Sequence, residues 1–84
     1  MKSYVLVQAT RRTKPRGRSR YIHSNITRIE TYDLAKTMAE SLQLARFAIA
    51  KWKNILGDRW LVIAAEVDEA EASELLADLE VNCD

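Results

Sequence analysis

Residues 4–29 read YVLVQATRRTKPRGRSRYIHSNITRI, and the fold turns on how this stretch divides. Residues 4–9 (YVLVQA) are apolar and β-branched, as expected of a strand whose two faces are both largely covered. Residues 10–20 contain Pro15 and Gly17 and read as a long loop. Residues 21–29 alternate: Ile22 and Ile26 fall on one side with Ser24 between them, and Tyr21, His23, Asn25 and Thr27 fall on the other. That pattern predicts a half-exposed strand. The whole stretch is then a β-hairpin with a long tip.

The tip is strongly basic. Arg11, Arg12, Lys14, Arg16, Arg18 and Arg20 lie within ten residues, out of 13 Lys and Arg in the chain. Guanidinium groups form bidentate pairs with phosphate or carboxylate, and crowding them together costs self-repulsion that an anion would relieve. Acids gather at the other end: Glu66, Asp68, Glu69, Glu71, Glu74, Asp78, Glu80 and Asp84 follow one another with no base between them. The formal net charge of +1 therefore conceals a polar molecule, and local fields rather than the sum steer partners.

Beyond the hairpin, Thr31 or Asp33 is placed to cap a long helix over residues 34–56, with Gly57 as its C-cap glycine. At 100° per residue, Leu34, Met38, Leu42, Ala45, Ile49, Trp52 and Leu56 share an arc of about 80°, a core stripe. Phe47 falls opposite, among Lys36, Glu40, Gln43 and Lys51, with Leu44 and Ala48 on its flank. It is either a contact point or a residue packed under a second helix. Residues 60–67 (WLVIAAEV) form a third strand, apolar on both faces. Asp68 with Glu71 resembles a capping box that opens a second helix to about Leu79, with Ala70, Leu75, Leu76 and Leu79 as its apolar face. The expected fold class is α+β, in the order β-β-α-β-α. Its three-stranded antiparallel sheet has order 2-1-3, with the long helix on one face and a short acidic helix at the end.

Length and composition narrow the functions. Eighty-four residues suit a single domain, 1–84, and 48% apolar with 30% charged residues is an ordinary globular balance. Cys83 is the one cysteine, which points to a reduced thiol in a cytoplasmic protein without an intrachain disulfide. The apolar run after Met1 is too short for a signal peptide or a membrane span. His23 is the one histidine and has no neighbouring acid to orient it, and Cys83 sits in an acidic tail that blunts a thiolate. No phosphate-cradling glycine loop and no zinc signature is present. An enzyme, a metal, a cofactor and a small-molecule substrate are not expected. Binding is, through Arg11, Arg12, Lys14, Arg16, Arg18, Arg20, Tyr21, His23 and Phe47. Nucleic acid, or a protein complex that binds it, is the expected partner; a homodimer pairing basic loop with acidic helix is the alternative.

The short β-β-α-β order with a charged hairpin, over residues 4–67, resembles the small inhibitors encoded by phages and other mobile elements, anti-CRISPR proteins among them. No sequence motif is shared, so no residue role is carried over. The resemblance implies a stoichiometric inhibitor that occupies the nucleic-acid-binding face of a host complex.

Overall fold

A computed structural model describes residues 2–17 and 19–81, without the side chains of residues 39 and 79–81. Arg18, Cys83 and the side chain of Leu79 thus lie outside the described residues. The elements run β1 (Lys2–Thr13), β2 (Ile22–Asp33), α1 (Lys36–Leu42), α2 (Leu44–Leu56), β3 (Leu61–Val67) and α3 (Glu69–Val81). The sheet has order β2-β1-β3 and both pairs are antiparallel, so the α+β class and the topology stand as the sequence predicts.

The core grows from one side of β1. Val5, Val7 and Ala9 alternate inward and are almost fully buried, together with Val62 of β3 and with Leu44 and Ala48 of α2. Ile26, Ile49, Trp52 and Leu56 close around them half-buried. α2 is tied down at its flank by Glu30 of β2. The Glu30 Oε1 accepts from Trp52 Nε1 at 2.7 Å and from Lys51 Nζ at 3.0 Å. The hydrogen bond and charge of Glu30 raise the Lys51 pKa. A charged acceptor strengthens the indole bond, and removing Glu30 would leave a half-buried N–H unsatisfied.

The helices differ from the single one expected over residues 34–56. β2 continues through Thr31 and Asp33, the two expected caps, and α1 begins after Ala35 with no side-chain cap. The helix then breaks at Gln43, whose φ of 51° and ψ of 67° are left-handed. No glycine or proline marks this point. Length accounts for the break. The chain must cross the sheet and re-enter it at Leu61, opposite Thr10. The 13 residues of α2 span about 20 Å and the seven of β3 about 23 Å, so one match covers the ladder. A straight helix over residues 34–56, about 34 Å long, would overshoot it by about two turns, roughly 11 Å.

The break also turns the stripe. Met38 and Leu42, expected in the core, are exposed, and Leu44 and Ala48 are buried in their place. Gly57 does cap α2, with φ 95° and its N–H donating to the Lys53 carbonyl at 2.8 Å. Asp68 caps α3 as expected, its Oδ1 accepting from the Glu71 N–H at 2.7 Å. α3 approaches β1 and β2, and its buried Ala72 stands outside the cluster beneath α2. The strand residues turned away from α2 and yet half-buried, Tyr4, Leu6 and Ile29, are what α3 has to cover. It therefore packs on the second face.

Two outcomes follow for stability. Leu44→Ala should cost about 3 kcal/mol in urea unfolding, while Leu42→Ala should stay within about 0.5 kcal/mol of the parent. The reverse ranking would mean an unbroken helix. The Tyr32 hydroxyl oxygen is covered and has no hydrogen-bond partner among the described residues. Burial, and then the charge of Glu30, push its pKa above 10.0. The folded state thus holds this proton more tightly, and its contribution is lost as pH rises through the raised value. Tyr32→Phe should stabilise by up to about 1 kcal/mol and soften the loss of stability at alkaline pH.

Candidate nucleic-acid interface

β1 and β2 pair over their full 12 residues, from Lys2 opposite Asp33 to Thr13 opposite Ile22. β3 pairs with β1 only between Tyr4 and Thr10. Past Thr10 the hairpin is thus a two-stranded arm, and Arg11, Arg12, Lys14, Arg16 and Arg20 lie on it or in the connection at its tip. Arg11 and Arg12 belong to β1 and not to the loop, which corrects the expected loop over residues 10–20; the connection is residues 14–21. Lys14, Arg16 and Arg20 stand exposed in that connection with Gly17, whose φ of 82° suits glycine.

Alternation sorts the arm into two faces. Arg11, opposite Ser24, continues the side of Val5, Val7 and Ala9. Arg12, opposite His23, continues the other side, and Tyr21 is its diagonal neighbour. The Arg12 guanidinium lies 4.3 Å from the centroid of the Tyr21 ring and Lys14 Nζ lies 5.7 Å from it. The ring gathers two cations by cation–π attraction, and Tyr21 as a residue remains 47% exposed. Among the described residues, no cation of the arm meets a carboxylate within ion-pair distance. The acidic residues that open α3 lie at the far end of the sheet, where Val67 pairs with Tyr4. Six to nine strand residues, roughly 20–30 Å, separate them from the arm.

The face that carries Arg12 and His23 runs on down the sheet. Thr10 stands between Asn25 and Leu61, and Gln8 between Thr27 and Ile63. These six line a groove of about 290 Å³. Leu61 and Ile63 are 65% and 54% exposed, large apolar side chains with nothing over them. They are the functional candidates that the sequence reading misses, because an apolar strand reads as covered on both sides. One signal could have found them: α3 spans about 20 Å and the β1–β2 ladder about 40 Å, so half of one face must stay open.

Phe47 does not join this site. Its ring meets Tyr32 edge-on at 5.9 Å, on the α2 side and 11 strand residues, about 36 Å, from Tyr21. It is 53% exposed and so is not packed under α3. Among the described residues no cluster of His, Cys, Asp and Glu could hold a metal ion, and no helix is long and apolar enough to cross a membrane. No family model, curated protein or solved structure matches this chain.

The two faces of β3 make a direct check on this geometry. Ile63→Thr should leave stability within about 0.5 kcal/mol, whereas Val62→Thr should cost about 2 kcal/mol, because only the second buries a hydroxyl in the core. Equal costs in thermal unfolding would place Ile63 under cover.

Proposed function

We propose that this chain is a non-catalytic, cytoplasmic binding protein that grips nucleic acid through the basic hairpin arm. The observation that carries this reading is the uncompensated charge. Arg11, Arg12, Lys14, Arg16 and Arg20 crowd a projecting two-stranded arm, and among the described residues none of them meets a carboxylate within ion-pair distance. Phosphates relieve that repulsion, and each one neutralised releases counterions, a gain available at any sequence. Tyr21 and His23 beside the cations add rings that can stack on bases. A mobile-element inhibitor that occupies the nucleic-acid site of a host complex would use the same cations against a protein surface. Nucleic acid is the reading favoured here, since the arm sets its cations against the ring of Tyr21, with Arg12 at 4.3 Å and Lys14 at 5.7 Å from the ring centroid.

The test is binding of a fluorescent oligonucleotide by anisotropy as salt is raised, with Arg12, Arg16 and Arg20 replaced together by Ala. The melting temperature should stay within a few degrees, since all three side chains project from the arm. Affinity should fall more than tenfold, and the slope of log affinity against log salt should become shallower by roughly 2 to 3. Unchanged affinity in the triple variant, or self-association in place of oligonucleotide binding, would overturn the proposal.

A further inference from the structure

We infer that the ligand is a single strand whose unpaired bases lie along the open sheet face, from Tyr21 down to Ile63. The inference rests on the nucleic-acid reading above and names the form that the nucleic acid takes. Phosphate contacts alone would call for cations and nothing else. This face has a graded chemistry instead. At the arm stand Arg12 with Tyr21 and His23; next come the neutral hydrogen-bonding side chains Thr10, Asn25, Gln8 and Thr27; beside them lie Leu61 and Ile63.

Each part suits an unpaired nucleotide. The exposed Tyr21 offers an aromatic ring for stacking, and Arg12, drawn over that ring at 4.3 Å, puts its charge close to where the adjoining phosphate would lie. Two amides and two hydroxyls offer donors and acceptors to base edges, which in a duplex are already paired. Leu61 and Ile63 give apolar contact to base planes, a surface that a duplex keeps inside its own stack. The strip from Tyr21 to Thr27 is about 20 Å long, room for a few nucleotides and too narrow, at three strands, to cradle a duplex. Charge decides the occupant. An apolar peptide would cover Leu61 and Ile63 but would bring no charge to the arm's cations at the rim, whereas a nucleic-acid strand meets both.

The experiment titrates the whole chain into labelled dT12 and into a 12-bp duplex at the same low salt, with Tyr21→Leu, Leu61→Ser and Asn25→Ala as variants. None of the three changes a charge or a buried residue. The expected result is tighter binding of dT12 than of the duplex, and a loss of about tenfold for dT12 in Tyr21→Leu, with a smaller loss in the other two. The salt slope should not change in these variants, because no phosphate contact is removed. Equal or tighter duplex binding, unaffected by the three substitutions, would overturn the inference and leave the basic-arm reading intact. Failure to bind either probe at low salt would overturn both. A melting curve for each variant separates lost binding from lost folding.

Discussion

Everything in this molecule follows from the position of β1 at the centre of a sheet only three strands wide. Its alternation sends Val5, Val7 and Ala9 beneath α2 and turns Tyr4, Leu6, Gln8 and Thr10 the other way. The same two-residue period does not stop where the core stops. It continues into the arm and decides that Arg11 and Arg12 stand on opposite faces. A one-residue slip in β1 would exchange core and surface and would move Arg12 away from Tyr21. Core packing and the layout of the charges are therefore held by one register.

Helix length sets the second constraint. α2 matches the β3 ladder and covers the core side, anchored by the bonds from Trp52 and Lys51 to Glu30. α3 reaches part of the other side, where Tyr4, Leu6 and Ile29 are half-buried. What remains open is the half of that face nearest the arm. Exposure of Leu61 and Ile63 costs hydrophobic stabilisation that a longer α3 would have recovered, at roughly 25 cal/mol for each Å² of apolar surface. Apolar exposure beside clustered cations is a common mark of a surface kept for a partner.

The strand order, the antiparallel pairing, the C-cap at Gly57 and the cap at Asp68 were legible because each depends on local chemistry or on a short period. The break at Gln43 was not. Glutamine is an ordinary helix former, and its left-handed backbone is imposed by the distance that the crossover must span. Once the break is missed, Met38 and Leu42 extend the stripe of α2 on paper and face solvent in the molecule. The basic residues were equally plain in the sequence, but not their division between β1 and the loop, because arginine and threonine suit either. Tyr21 and His23 are placed beside Arg12 by pairing across the arm, and Phe47 sits on α2 against Tyr32, at the opposite end of β2. Which apolar residues of β3 stay uncovered depends on α3, about which the period of β3 itself is silent.

The central claim is that the binding surface is the arm together with the sheet face turned away from α2. Amide chemical shifts of the labelled protein, followed while dT12 is added, test it residue by residue. The account predicts shifts concentrated at Gln8, Thr10, Arg12, Tyr21, His23 and Ile63, with the amides of α2 left in place. Shifts centred on α1 and α2, around Met38, Leu42 and Phe47, or no shifts at all, would contradict it.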